Sequence, residues 1–357
     1  MGAAVGELAR RLPRRAALNT FASRRVRRPV DLWRTLETRE YGEPRYVRFQ
    51  PGRRLVVLYD SMAHLTVLKP KRTERLWEKV AGSPLAERAL GGVVQRFPLD
   101  VRLPGLATAI EDGELIRYKP GRRAVIRYPG AYAKLRADGR APVAFPGAPR
   151  VLRHEGGLTV YEAMPGTPLR ECERAPWMEA VAGAMARLHA TRLDLPAHDL
   201  DLEARDLRAA AETAAAIGAD PGDLADRVLA ALAGVEPASA TIHGSFHDDQ
   251  VLVGDHGVTL LDLDSAAIGH PLFDVGEFAS YLTAAGEDEA RGRFLEACGA
   301  GRDVLVFEAA ALLRWSSLPF RDLEPGWPEA VRRRVELAGE RLADYERRSA
   351  SSVITAS

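Results

Sequence analysis

The strongest constraint on this chain is a stretch of sequence that it contains twice. Residues 46–59 and 116–128 align around Pro51-Gly52-Arg53-Arg54 and Pro120-Gly121-Arg122-Arg123. Each copy reads as a strand, a turn and a second strand rich in β-branched residues. Proline pre-sets φ for the turn and glycine accepts the positive φ that follows, so each copy predicts a β-hairpin. A third short strand ending in lysine follows each hairpin, closing on Lys69 in the first copy and Lys134 in the second. Three antiparallel strands with a lysine on the third form a layout that can hold phosphates, and the pattern alone leaves both lysines as candidates. The paired arginines could grip phosphate. Because both copies have them, a shared role in the turn is equally open.

The copies diverge downstream. After Lys69, residues 73–80 predict a helix with Leu76 and Val80 on one face. After Lys134 come Asp138, Gly139, Pro142, Pro146, Gly147 and Pro149, too many breakers for a regular helix. The segment Met164-Pro165-Gly166-Thr167-Pro168 then reads as a hinge. Beyond it the chain turns helical. Trp177, Val181, Ala184, Met185 and Leu188 recur with helical spacing, and further helices are expected at 209–217, 224–232, 274–284, 289–298, 303–315 and 328–347. Short strands fall near residues 241 and 260. The expectation is an α+β, two-lobed protein: a basic arm at 1–40, a β-rich lobe at 41–165, a helical lobe at 166–348 and a disordered tail at 349–357.

Composition sets bounds on this reading. A length of 357 residues suits two or three lobes. Lys+Arg 50 against Asp+Glu 49 excludes a strongly basic nucleic-acid scaffold. Nine arginines stand in the first 34 residues, which read as a solvated arm or a polyanion contact. They interrupt every candidate apolar segment for a signal peptide. Two isolated cysteines, Cys172 and Cys298, exclude a disulfide framework and fit a reducing, cytoplasmic setting. With no run of roughly 20 apolar residues, no membrane partner is expected, and no nucleic-acid partner either.

Chemistry concentrates in residues 241–275. His243, His247, Asp248, Asp249 and Gln250 lie between two apolar strands, and Asp262 and Asp264 end the second. A carboxylate at the end of a buried strand is costly unless a cation meets it, so Asp262 is a metal-ligand candidate, with a turn-capping role as the alternative. Gln250 could join it on Mg²⁺ or simply enter the strand with a satisfied side chain. His243 and His247 are four apart, but the Gly244-Ser245-Phe246 spacer reads as a loop, which argues against zinc. Asp248 and Asp249 read as solvated loop acids, or one of them as a base.

This stretch resembles the aminoglycoside phosphotransferase-like kinases, small-molecule relatives of protein kinases. Their second lobe carries His-Gly-Asp, then Asn or Gln before an aliphatic strand, then Ile-Asp-Phe-Asp and Gly-Asp-Pro. Here these are His243-Gly244, Gln250, Leu261 to Asp264, and Gly269 to Pro271 followed by Asp274. The resemblance spans roughly residues 110–345. It implies a protein-kinase-like fold, ATP or GTP and Mg²⁺ as cofactors, and a small hydroxylated substrate. It also implies nucleotide contacts from Lys134, Arg123 and the connector residue Met164, metal ligation by Gln250, Asp262 and Asp264, and a loop braced by His243. Three departures stand out. Ser245 replaces the proton-accepting Asp, His270 replaces the Asp of Gly-Asp-Pro, and no helix can follow Lys134 to bring a Glu partner. Either Asp248 or Asp249 takes over orientation of the hydroxyl, or the chain is a degenerate kinase fold that binds without transfer.

Overall fold

The computed structural model describes residues 32–355; the side chains of 351–355 are not described, and most of the basic arm, residues 1–31, lies outside the described part. The duplication extends well beyond the hairpin. Strands β1 (Pro44–Gln50), β2 (Arg54–Tyr59), β3 (Ala63–Leu68), β4 (Ala86–Ala89) and β5 (Gly92–Arg96) form an antiparallel sheet of order β1-β2-β3-β5-β4. Strands β6 (Glu114–Lys119), β7 (Arg123–Tyr128), β8 (Ala131–Arg136), β9 (Val151–Glu155) and β10 (Leu158–Glu162) form a second sheet of order β6-β7-β8-β10-β9. The first Pro-Gly-Arg-Arg turn therefore belongs to a complete sheet of its own.

The register corrects the pairing of the two lysines. In the first sheet Arg54 faces Leu68 and Val56 faces Thr66. In the second, Arg123 faces Arg136 and Val125 faces Lys134. Thr66, not Lys69, is thus the counterpart of Lys134. Lys69 is exposed beyond the strand end, just before the helix Pro70–Glu78 that follows β3. That helix buries Leu76, as its spacing requires, whereas residues 137–150 contain no helix.

Helix α1 (Leu32–Glu37) precedes β1, α2 is Pro70–Glu78, and α3 (Leu106–Ala109) lies between the sheets. One face of the first sheet, with Val47, Leu55, Val57 and Leu65, packs on Phe320, Trp327 and Val331 of the helical lobe. Tyr46 and Leu58 pack on the opposite side against α3 and against Tyr118, Ala124, Ile126, Ala133 and Leu135 of the second sheet. The first sheet is therefore wedged between the second sheet and the far helices.

The helical lobe comprises α4 (Met178–Ala190), α5 (Leu200–Ala216), α6 (Leu224–Leu232), α7 (Leu272–Ala285), α8 (Asp288–Ala297), α9 (Val304–Arg314), α10 (Leu318–Arg321) and α11 (Trp327–Thr355). Helix α9 is apolar nearly all round and is buried accordingly. Helix α11 continues through most of the segment expected to be a disordered tail; residues 356–357 lie outside the described part. No described helix is long and apolar enough to cross a membrane.

The connector is not a free hinge. Thr167 and Pro168 (β11) pair with Val253 and Leu252 of β13 (Val251–Gly254), which follows the short strand β12 (Ala240–Ile242) and is itself paired with β14 (Gly257–Leu260). Gly166 has φ +134° and a Cβ there would stand 3.0 Å from the Val253 carbonyl oxygen, so this close approach requires glycine.

Phe320 is buried edge-on between Phe49 and Trp327, with ring centroids 6.5 Å and 4.8 Å away. Phe320→Ala is expected to lower unfolding stability by about 3–5 kcal/mol, measured by urea denaturation, because it empties the seam that docks the first sheet.

Candidate active site

Alternation along β7 and β8 divides their side chains. Ala124, Ile126, Ala133 and Leu135 go into the core against the first sheet, which leaves Arg123, Lys134 and Arg136 together on the other face. Opposite them, the chain leaves β14, and Asp262 takes a left-handed conformation (φ 61°, ψ 50°) before the 3-10 turn Leu263–Ser265. That conformation costs a non-glycine residue about 1–2 kcal/mol. It brings Asp262 and Asp264 to the same cations, while buried Leu263 anchors the turn.

The result is a five-charge cluster. Lys134 Nζ, on a residue only 9% exposed, donates to Asp262 Oδ1 at 2.7 Å and to Asp264 Oδ2 at 3.0 Å. Arg123 Nη1 donates to Asp262 Oδ2 at 2.9 Å. Arg136 pairs with Asp264 and binds Asp138 through two contacts at 2.9 and 2.7 Å. Burial raises the pKa of Asp262, but Lys134 and Arg123 outweigh it and hold the carboxyl well below its ordinary value. Asp264 moves up, through burial and the neighbouring Asp262 charge. Lys134 is therefore firmly aimed without a Glu-bearing helix: the aspartates supply the anchorage. Arg136 was not foreseen, although its spacing of two from Lys134 along one strand put it on the same face.

The loop 243–250 is held from below. Asp274, fully buried on α7, accepts the backbone N–H groups of His243 (2.7 Å) and Gly244 (3.0 Å), and meets His189 Nε2 at 2.8 Å. Glu277 on the same helix accepts from Trp315 Nε1 (2.6 Å) and from the Phe246 N–H (3.3 Å). Gly244 has φ +74°, and a Cβ there would meet the Ser265 carbonyl oxygen at 2.2 Å, so the loop can lie on the Asp264 turn only with glycine. His243 donates from Nε2 to the Leu261 carbonyl oxygen at 2.8 Å, bracing the strand end before Asp262. Most of these supports reach backbone groups, which side-chain patterning does not reveal.

Gln250 is next to the cluster by backbone pairing, since the Leu261 N–H donates to its carbonyl oxygen at 2.8 Å. Its amide meets His247 Nε2 at 3.0 Å, while His247 Nδ1 faces the Asp249 N–H at 3.3 Å. The amide nitrogen is the atom that faces His247 Nε2, and because a neutral imidazole accepts at one nitrogen only, the tautomer sets which of the Gln250 and Asp249 N–H groups it takes. Burial lowers the His247 pKa to about 4, which keeps the ring neutral.

Asp248 and Asp249 are not solvated acids. Asp248 is gripped by Arg174 Nε and Nη2 at 3.1 and 2.9 Å, and Asp249 pairs with Arg170 at 2.7 Å. Both arginines come from the connector side, so this acidic pair is neutralised rather than open to a cation. Ser245 is half-buried in the same loop. Met164 is half-buried in the connector. His270 takes a capping role: its Nδ1 accepts the Leu272 N–H at 3.1 Å, as a carboxylate would at the start of α7.

Among the described residues no group of three or more His, Cys, Asp or Glu is placed to hold a metal ion. The donors do fit Mg²⁺ of the kind that leans on substrate: two carboxylates meeting at one ammonium offer hard oxygens, and phosphate and water complete such a site.

A family model for the phosphotransferase enzyme family (APH) matches residues 117–307. Comparison with curated proteins finds no match. Among solved structures, the chain is similar to a choline/ethanolamine kinase family protein from Mesorhizobium loti, with 16% identity over 68% of this chain and 94% of that one and a TM-score of 0.47. It is also similar to choline kinase LicA from Streptococcus pneumoniae (10% identity, 77% and 100% covered, TM-score 0.48) and to aminoglycoside 2'-phosphotransferase-IIIa (15% identity, 68% and 97% covered, TM-score 0.44).

Burial raises the Glu277 carboxyl to about 7. An acid whose pKa is higher in the folded state contributes stability that is complete below its ordinary value and lost as pH rises through about 7. Unfolding free energy is expected to decline between pH 4.5 and 7.5 by roughly 3 kcal/mol from this group. Glu277→Gln should flatten that decline in denaturant titrations across the range.

Proposed function

The chain belongs to the phosphotransferase enzyme family, and from that premise we propose that it transfers the γ-phosphoryl group of ATP or GTP to a hydroxyl of a small molecule. The observation that carries this reading is the meeting of Lys134 with Asp262 and Asp264 at 2.7 and 3.0 Å.

A lysine and an arginine already held at carboxylate oxygens can exchange them for phosphate oxygens with little movement. Lys134 and Arg123 would then bind the phosphates, and the released carboxylates of Asp262 and Asp264 would hold the metal. Mg²⁺ bound there would neutralise charge developing on the phosphates. Arg136, tied to Asp138, keeps Asp264 in place during that exchange. Gln250 acts as a positioning residue, fixing His247 and the strand entry beside Asp262.

In the transfer itself the bond between the γ-phosphorus and its bridging oxygen breaks as the acceptor oxygen bonds to that phosphorus; the nucleoside diphosphate leaves, and the acceptor's proton passes to a transferred phosphoryl oxygen or to water. Ser245 is a weak base near neutral pH. In a loose transition state little charge develops on the attacking oxygen, so alignment and phosphate neutralisation carry most of the rate. Transfer without a carboxylate at 245 is then slow but not abolished. Arg170 and Arg174 neutralise the loop acids, so the acceptor is polyhydroxylated and needs no positive charge.

A second reading, nucleotide binding without transfer, is favoured by the ion pairs of Asp248 and Asp249, which leave neither loop acid free to act as a base.

Two variants separate the readings. Substrate-dependent Mg-ATP consumption over a panel of hydroxylated compounds is expected to fall at least ~100-fold in Asp262→Ala and to rise by about 10²–10⁴ in Ser245→Asp. Nucleotide binding with no turnover in wild type or Ser245→Asp would establish the second reading instead.

A further inference from the structure

The first sheet has a cavity of its own, about 530 Å³ in volume. One wall is the face of β2 and β3 carrying Arg54, Val56, Thr66 and Leu68; the others are helix α2 and the Pro120–Gly121 turn of the second repeat. Those four strand residues hold the register positions that Arg123, Val125, Lys134 and Arg136 occupy in the second sheet. The cavity is therefore the first repeat's version of the face that meets the aspartates.

Among the described residues, no aspartate side chain pairs with the cations here. Arg72, Arg75 and Lys79 line the wall from α2 and the residue after it, at helical spacing, and Arg102 comes from the loop before α3. Among the described residues, none of these four nor Arg54 has a carboxylate within salt-bridge distance, and Arg54 Nε is buried with no hydrogen-bond partner. Burial and the charges of Arg102, Arg122 and Arg72 lower the Arg54 pKa, and Arg48, on the neighbouring strand, is pushed down to about 10 by burial, Arg122 and Arg54.

The one acid in the lining is already committed. Asp100 accepts the Arg102 N–H at 3.0 Å, the Gly121 N–H at 2.6 Å and the Tyr118 hydroxyl at 2.9 Å. His64 links Tyr118 at 3.1 Å to Gln95 at 3.1 Å, and Gln95 in turn accepts the Val101 N–H at 3.0 Å. The polar floor is thus satisfied internally while Arg54 Nε beside it is not. Arg54 is half-buried and the other cations stand exposed around it; gathered without paired acids they repel one another, and planar guanidinium forks match phosphate oxygens best.

The geometry points to a second ligand site in this cavity, for a small molecule carrying several phosphate groups, separate from the Lys134–Asp262 cluster and independent of the reaction assigned to it. Binding there would tie the first sheet, through the Gly121 turn, to the hairpin that bears Arg123.

Tripolyphosphate is the probe, titrated calorimetrically into the full chain at moderate salt, with melting temperature as a second readout. Wild type and Lys134→Met are both expected to bind it. The double variant Arg54→Gln, Arg102→Gln is expected to bind at least ten-fold more weakly, while its melting temperature without ligand equals or exceeds that of wild type because repulsion is relieved. Undiminished affinity in the double variant would overturn the proposal, as would loss of binding in Lys134→Met. Binding of an RNA oligonucleotide with none of tripolyphosphate would also overturn it, by assigning the patch to a macromolecule.

Discussion

Two carboxylates and three cations, meeting at the junction of a sheet and a 3-10 turn, organise the rest of this molecule. Each of those charges is taken from water, and burial of a lone charge costs several kcal/mol, so none can be there without the others. Cutting one partner out of such a buried set costs about 3–5 kcal/mol, while the net gain from the whole is small. The cluster is thus poor evidence for stability and good evidence for chemistry. Other features serve to deliver its parts. The αL conformation of Asp262 aims its carboxylate, Gly244 lets the loop lie on the same turn, and Asp274 holds that loop by its backbone amides.

Duplication explains why the β-rich half is large. The two sheets share strand order and register, yet their equivalent faces meet different neighbours. The second faces the Asp262 turn, and its cations are neutralised by acids. The first is covered by its own helix α2, which adds cations, and by a turn of the second repeat. The same scaffold therefore yields a neutralised ion-pair cluster in one place and a basic cavity in the other.

Much of this was legible in the sequence. The repeated Pro-Gly-Arg-Arg hairpins, the helix after β3, the absence of one after Lys134 and the helical second half follow from turn chemistry and periodicity, which are local properties. The Asp262, Asp264 and Lys134 grouping was legible because of motif order. That Thr66, and not Lys69, is the counterpart of Lys134 was not, since register depends on which residues face each other across strands rather than on which lysine ends a run. The fate of Asp248 and Asp249 was hidden for a similar reason: their partners Arg170 and Arg174 are more than 70 residues away. His270 looked like a lost carboxylate by its type, and only its bond to the Leu272 N–H shows that it keeps a capping function.

If the cluster is a seat for phosphate and metal together, its acids are occupied by cations until phosphates draw those cations away. Binding of the two should therefore be cooperative, and calorimetric titration of a non-hydrolysable ATP analogue with and without Mg²⁺ measures this directly. We expect the analogue to bind at least ten-fold more tightly with Mg²⁺ in the wild type, and the enhancement to vanish in Asp262→Asn. An affinity indifferent to both Mg²⁺ and the Asp262 carboxylate would contradict the account.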